Sequence, residues 1–548
     1  WATASYGIGE ENKITMLEQM NFPNSLGLLY SAFTNFIGFE VNEGEYKMMG
    51  LAPYGKPIYV NTILNNIVHI NEDGSIKLDQ TYFDYISGRT MTNQKFANLF
   101  GGKPLRPGSK ITQRERDIAA SIQEITEKVI FKMARYVKKV TKLDYLCLSG
   151  GVALNCVING KLKKSNLFKE IWVQPASGDS GSSLGCAYDL YYSYFNNKRN
   201  LRRDGYPEQL SSNLGPSWSN KEIQAFLDTG SIKYKYFNKK EDRNLVISKF
   251  LKKKKVIGYF SGRAEFGPRA LGARSIIADP RDKNMQKRIN LKIKYRESFR
   301  PFAPAILREK IGNYFDSNFE SPYMTFVTHL IKKKRLSFSI GKTDDMLKIV
   351  NKVRSDVPAV THIDYSARIQ TVDKIYNNDF YKLIKNFEKI SGCSMVVNTS
   401  FNIKGEPIVN SPLDAFKCFL NTDMDVLVLE DFIMEKNNFK DSINKNIRKL
   451  NWRFYWNNMR SEGLEEKDKF NLIKDLRIIY NSLPKSNKKE IFEEGWINVV
   501  ESQNSKNLFE IPKILESENI LPELMSKEIM NYWKNKALLE KYPKSMIE

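Results

Sequence analysis

The feature that most constrains this chain is a strand–turn–helix unit that occurs twice in about fifty residues. LDYLCLSGG (143–151) runs a short apolar strand into a diglycine turn, and VALNCVINGKL (152–162) follows as a helix. EIWVQP (170–175) is a second strand, and SGDSGSSLGCAYDLYYSY (177–194) is again a Gly-rich turn and a helix. That order argues for an α/β domain. Before it, Ile118, Ile122, Ile125, Val129, Met133 and Val137 recur at spacings of three and four, so residues 114–141 present one apolar helical face.

A polar stretch from Asn196 to Gly215 reads as a linker, with its boundaries set at 198–215. Beyond it lies a second set of α/β signals. KKVIGYF (254–260), SARIQTV (366–372), CSMVVNTSF (393–401) and MDVLVLEDFIM (424–434) are strand-like, and Ser411-Pro412 opens a helix through Leu420. Asp279-Pro280 reads as an N-cap with proline at N1, opening a basic helix to about Lys292. The domains are therefore placed at 1–197 and 216–436. Residues 437–548 form a helical extension of mixed charge with no motif that carries chemistry.

The 548 residues predict about three or four domains. Aromatic residues at 12% supply too much core material for a mainly disordered chain. No uncharged apolar run approaches the ~18 residues of a membrane-spanning helix. Five cysteines without CxxC spacing argue against a zinc ribbon or a disulfide framework and suit a reducing cytoplasm, the expected location. The sequence starts at Trp1, with no basic start followed by an apolar stretch, and the N-terminus is read as a truncation.

The formal net charge of +23 is unevenly spread. Residues 1–197 carry +3, residues 198–436 carry +17 and residues 437–548 carry +3. An anionic partner is expected on the middle segment. Lysine-based solubility is the alternative account for Lys252–Lys255 and Lys332–Lys334, and it explains the arginines less well.

SGRAEFGPRALGARSIIADPR (261–281) places Arg263, Arg269 and Arg274 in a loop punctuated by Gly262, Gly267 and Gly272. Lys292, Lys294, Arg296 and Arg300 follow in KIKYRESFRPFAPAIL (292–307). Guanidinium forks match phosphate or carboxylate oxygens in pairs, and glycines let the backbone approach an anion. HIDYSARIQTV (362–372) would set His362, Asp364, Ser366, Arg368 and Gln370 on one strand face, either solvated or lining an active site. In NTSFNIKGEPIV (398–409), Asn398, Thr399, Ser400 and Asn402 at a strand's end can bind a ligand or form a turn. LSGGVALN offers Gly150, Gly151 and Asn155 at a helix start, where bare amides favour phosphate. Asp179, among small residues in PASGDSGSSLG, either holds a metal or caps the helix after it. Lys47, Tyr54 and Lys56 lie in the loop EGEYKMMGLAPYGKP (43–57).

These blocks, in this order from residue 43 to 409, resemble the NodU/CmcH family of ATP-dependent O-carbamoyltransferases. The resemblance covers roughly residues 1–436. It implies the C-terminal part of an actin/Hsp70-like (Kae1-like) domain, followed by a YrdC-like α/β domain. It further implies that the YrdC-like domain makes carbamoyl adenylate and pyrophosphate from carbamoyl phosphate and ATP. The first domain then transfers the carbamoyl group to a substrate hydroxyl and releases AMP. ATP with Mg2+ is the implied cofactor, with iron or another divalent metal in the transfer domain and Asp179 as its ligand. The family's two metal-binding histidines and an aspartate are expected before Trp1, so this chain alone is expected neither to bind that metal properly nor to complete transfer. Arg263, Arg269, Arg274, Lys294, Arg296, Arg300, His362 and Arg368 are the expected catalytic set. Lys47, Tyr54, Gly150, Gly151, Asn155, Asn398, Thr399, Ser400 and Asn402 are the expected substrate and nucleotide set. Tyr365 stands where family members tend to have glycine.

Two other readings compete. One is a YrdC-type, RNA-associated factor of tRNA modification, for which cations should spread over a convex stripe instead of converging. The other is a hydrogenase-maturation carbamoyltransferase, whose CxxC repeats are absent here. The expected partners are carbamoyl phosphate, ATP and a hydroxyl-bearing small molecule. Nucleic acid is not expected, and a homodimer is compatible.

Overall fold

The computed structural model describes residues 1–199, 209–229, 232–296, 299–317, 319–339 and 346–439. The expected extension beyond Phe439, and most of the expected linker, lie outside the described residues. The chain is mixed α/β and parts into two compact units. The first comprises residues 1–216, 244–256 and 263–408; the second takes residues 217–243, 257–262 and those from Val409 on. No described helix is long and apolar enough to cross a membrane.

In the first unit the predicted long helix runs from Gln113 to Thr141. Thr112 and Glu115 close a capping box at its start, and Lys138 and Lys139 complement the dipole at its end. Its apolar stripe buries Ile118, Ile122, Ile125 and Val129 in a core shared with Phe33, Phe36, Phe96 and Phe100. Those four rings pack at centroid distances of 4.8–5.7 Å. The two strand–turn–helix units form as expected, with Tyr145–Leu148 parallel to Glu170–Val173. A 3-10 turn, Gly151–Leu154, separates the diglycine from the helix Cys156–Lys164. Gly160 of that helix lies against the strand Phe326–His329, where a Cβ would stand 2.0 Å from the Val327 carbonyl oxygen.

Five strands of the same unit form a sheet in the order Phe326–His329, Ser366–Val372, Ala303–Leu307, Met395–Ser400, Arg274–Ala278. Ala305 faces Gln370 on one neighbour and Val396 on the other, and Ala303 faces Asn398. These residues share one sheet face. The two alanines are small enough to let the Asn398 and Gln370 amides meet across the middle strand at 2.7 Å.

Two expectations are corrected here. The basic helix begins at Met285, not at Pro280. Asp279 does not cap it, because its carboxylate is held by the backbone N–H and guanidinium of Arg281 at 2.6–3.0 Å. His362 and Asp364 are not on the strand that carries Arg368. Residues 362–365 form a turn with Tyr365 at φ +64°, and the strand starts only at Ser366. Within 209–215, read as linker, Ser212 is buried and Gly215 N–H donates to the Ala264 carbonyl at 2.9 Å.

The second unit orders its strands Ile257–Phe260, Val426–Leu429, Phe432–Glu435, Lys235–Tyr236. The segment read as one strand-like run, 424–434, is thus a hairpin turning at Glu430, whose φ is +46°. Behind the turn the fully buried Arg243 donates to the Glu430 carbonyl at 2.9 Å and pairs with Asp431 at 3.0 Å. Ser411-Pro412 opens the helix Pro412–Leu420 as the sequence predicts, and Asp414 completes a capping box with Ser411.

Candidate functional site

The first unit brings together residues from five of the sequence blocks. Arg269 comes from the glycine-punctuated loop, Arg300 from the segment before the strand Ala303–Leu307, and Arg368 from the strand Ser366–Val372. The helix Glu45–Leu51 contributes Tyr46, whose ring lies 4.6 Å from the Arg300 guanidinium. The buried Cys156, first residue of its helix, reaches Arg368 and lies 3.9 Å from the Met49 sulfur.

The electrostatics of this group are unusual. Burial pulls the Arg269 guanidinium down to about 9, the neighbouring charges of Arg368 and Arg300 act the same way, and Tyr46 and Cys156 offset part of the effect. Burial also lowers Arg368, with the Cys156 thiol working against it and Arg300 adding to it. Neither Arg269 nor Arg368 forms an ion pair with a described residue. The Arg368 Nε is buried without a hydrogen-bond partner. Cations withdrawn from water are ordinarily paired, so Arg269 and Arg368, without an ion pair to a described residue, make this group a candidate anion site.

The loop that presents Arg269 is held from both sides. Glu265 Oε1 accepts from the backbone N–H groups of Leu271 (2.6 Å), Ala273 (2.8 Å) and Arg274 (3.3 Å). Asn398 Nδ2 donates to the Ala270 carbonyl at 3.1 Å, and Gln370 Nε2 to the Leu271 carbonyl at 2.8 Å. Gly267, at φ +137°, lies beside the backbone of Pro175 and Ala176.

Lys294 belongs to a second cluster. Its buried ammonium donates to the Ser400 carbonyl (2.8 Å) and hydroxyl (3.0 Å), and to the carbonyl (3.0 Å) and side-chain oxygen of Asn402. It fastens the end of the strand Met395–Ser400, and Thr399 lies within that end. Tyr54 connects to a third group. Its hydroxyl donates to the Phe299 carbonyl at 3.3 Å, next to Arg300, and its ring packs edge-on against His362 at 5.1 Å. His362 Nδ1 stands 3.4 Å from the Asp364 carboxylate, while its Nε2 is buried without a hydrogen-bond partner. Burial would raise Asp364, but the hydrogen bonds from His362 and Ser366 outweigh it and hold the carboxyl well below its usual range.

The remaining sequence-predicted residues lie elsewhere or have other partners. Arg274 is fully buried and donates to the carbonyls of Ala273 and Pro216 at 3.1 and 3.2 Å. Arg263 is exposed and donates to the Leu214 carbonyl at 2.8 Å. Arg296 donates to Asn290 at 2.7 Å and lies over the Phe302 ring. Asn155 caps its helix through Ile158 N–H and exchanges hydrogen bonds with Gln123. Gly150 N–H is taken by the Ser177 carbonyl at 2.8 Å, and the α-helix after the diglycine starts five residues later, at Cys156. Lys47 sits beside Tyr46 in the helix Glu45–Leu51.

Asp179 is exposed at the start of the helix Ser180–Tyr188 and makes no side-chain capping hydrogen bond. Among the described residues no three His, Cys, Asp or Glu side chains converge on a point. One carboxylate does not make a metal centre. The described residues therefore do not fit the implied metal, and no step is derived through it.

Sequence reasoning missed Tyr46, Cys156 and Glu265. All three stand inside the motifs already singled out. Glu265 is the lone acid in a loop of three arginines, a signal lost when only cations are counted.

Comparison with known proteins gives a consistent picture. Residues 1–188 match a family model described as Carbamoyltransferase N-terminus, and residues 248–436 one described as Carbamoyltransferase C-terminus. An uncharacterized protein of Synechocystis sp. is 49% identical over 441 residues, covering 80% of this chain and 71% of its own length. Nodulation protein NolO of Bradyrhizobium diazoefficiens is 35% identical over 433 residues, 78% of this chain and 72% of that protein. Nodulation protein NolNO of Sinorhizobium fredii is 34% identical over 443 residues, 80% of this chain but only 59% of that protein.

Proposed function

Because this chain belongs to the carbamoyltransferase family of enzymes, we propose that it activates a carbamoyl group with ATP and transfers it to a hydroxyl of a sugar-containing or natural-product acceptor. In this reading carbamoyl phosphate is cleaved by water to carbamate and phosphate, the carbamate oxygen attacks the α-phosphate of ATP to give carbamoyl adenylate and pyrophosphate, and AMP leaves on transfer. The YrdC-like and Kae1-like assignments of the two sequence domains, to activation and transfer respectively, belong to the same proposal.

The observation that carries the reading is the cluster of Arg269, Arg300 and Arg368, partly withdrawn from water, with no ion pair from Arg269 or Arg368 to a described residue. Carbamoyl phosphate and ATP are dense polyanions, and leaving pyrophosphate develops further charge. Fixed guanidinium groups that are already desolvated stabilise such charge without reorganising. Convergence of the arginines favours a compact phosphorylated ligand over the backbone of an RNA. Lys294, caged by Ser400 and Asn402, would fasten the end of the strand Met395–Ser400, and a site withdrawn from water would protect the adenylate from hydrolysis.

The test is pyrophosphate release from ATP that depends on added carbamoyl phosphate. The wild-type protein should release it, and Arg269→Glu or Arg300→Glu should abolish release. Retained release in either variant would remove that residue from the site. No carbamoyl-phosphate dependence in the wild type would refute the activation step.

A further inference from the structure

The turn that carries Arg269 is gripped through its main chain by side chains that have no ion pair with Arg269. Glu265 Oε1 gathers the N–H groups of residues 271, 273 and 274. On the opposite side of the same turn, Asn398 and Gln370 take the carbonyls of residues 270 and 271. The amide orientations are not arbitrary. A backbone carbonyl only accepts, so the atoms facing Ala270 and Leu271 must be the two NH2 groups. That leaves Gln370 Oε1 to accept from Asn398 Nδ2, as observed at 2.7 Å. Both amides stand on paired strands of the sheet, over Ala303 and Ala305, so they form a back wall to the turn.

Against that wall, Glu265 sets the shape of the loop. It makes no ion pair with a described arginine, although Arg263, Arg269 and Arg274 surround it in sequence. Its second oxygen, Oε2, is buried without a hydrogen-bond partner. Every hydrogen bond that the carboxylate makes therefore goes to the loop's own backbone. An acceptor collecting three consecutive-turn N–H groups is a staple, and what the stapled turn displays is Arg269.

We infer that Glu265 is a positioning residue, which holds the Arg269 guanidinium in the polyanion site by clamping residues 271–274 against Asn398 and Gln370. This rests on the reading of Arg269 as part of that site. Substrate discrimination and phosphate binding would then depend on an acid that does not itself contact the substrate.

A double-mutant cycle separates this role from general loop stability. Affinity for inorganic pyrophosphate is measured by calorimetry for the full chain, with Glu265→Ala placed in the wild-type background and in Arg269→Met. The expected result is a tenfold or greater loss in the first background and less than a twofold change in the second. Equal losses in both backgrounds, or none in either, would overturn the inference. Should Glu265→Ala fail to fold, Glu265→Asp and Glu265→Gln carry the test. Aspartate retracts the acceptor by one methylene and should weaken binding at least fivefold, while glutamine keeps an acceptor in place and should stay within twofold of wild type. Equal affinities for these two variants would overturn the positioning role. Wild-type affinity in Arg269→Met alone would overturn both this inference and the site on which it rests, whereas an affected Arg269→Met with additive losses would overturn the inference only.

Discussion

At Tyr365 two opposing effects can be weighed. Its left-handed backbone, at φ +64°, costs a non-glycine residue about 1–2 kcal/mol. Its ring lies 5.2 Å from the Arg335 guanidinium and 5.8 Å from the Phe338 ring, and its hydroxyl donates to the Leu336 carbonyl at 2.9 Å. A cation–π contact, an aromatic pair and a hydrogen bond contribute about 0.5–1 kcal/mol each. Glycine would add unfolded-state entropy on top of losing them. Tyr365→Gly should therefore lower stability by about 1–2 kcal/mol in urea unfolding, despite removing the strain. A more stable variant would mean that the ring contacts contribute little. Nearby, Asp364 supplies a pH test with a definite sign. Its carboxyl is held below the ordinary value, so its stabilising contribution is complete above the unfolded pKa and is lost as the pH falls through the folded one. The melting temperature of the wild type should fall more steeply between pH 5 and 3 than that of Asp364→Asn. Parallel curves would show that the His362 and Ser366 hydrogen bonds do not hold the carboxyl.

Among the elements, the helix Cys156–Lys164 is the one whose seating decides the site, because it sets Cys156 beside Arg368. Asn159 ties it to the Thr325 carbonyl at 3.1 Å, and Gly160 allows the backbone contact with Val327. A methyl group at 160 would need the strand to move, so Gly160→Ala should cost about 3 kcal/mol or more in chemical unfolding. Gly185, in the helix Ser180–Tyr188, has no neighbour within 4 Å of an added Cβ. Gly185→Ala should stabilise by about 0.5–1 kcal/mol. Similar losses for both would show that helix propensity, not the contact at Val327, is being measured. These elements were legible to different degrees. The long helix and the helix start at Ser411-Pro412 show clearly in sequence, because apolar spacing and a serine–proline start act within a few residues. Alternation over 362–372 reads as one strand through the turn at 362–365, because the residue at its corner, Tyr365, is not glycine. The Asp279 cap failed because Arg281, two residues on, competes for the same carboxylate.

Over the whole molecule, the sequence localises the positive charge and names the arginines, but not which of them meet. Arg269, Arg300 and Arg368 converge, whereas Arg263 and Arg274 of the same loop turn to the carbonyls of Leu214 and Pro216. The separation depends on how residues hundreds of positions apart pack, and Tyr46 and Cys156 enter the site in the same way. Arg269 and Arg368 carry a cost in the unliganded protein, since partly buried like charges without an ion pair to a described residue oppose folding. A polyanion bound at the cluster would relieve this cost. Thermal unfolding with and without saturating inorganic pyrophosphate, for the wild type and Arg269→Met, tests it most directly. Unliganded Arg269→Met should melt above the unliganded wild type, by about 1 kcal/mol of added stability, and pyrophosphate should raise the melting temperature of the wild type alone. A variant that melts lower without ligand and still gains as much from pyrophosphate as the wild type would contradict it.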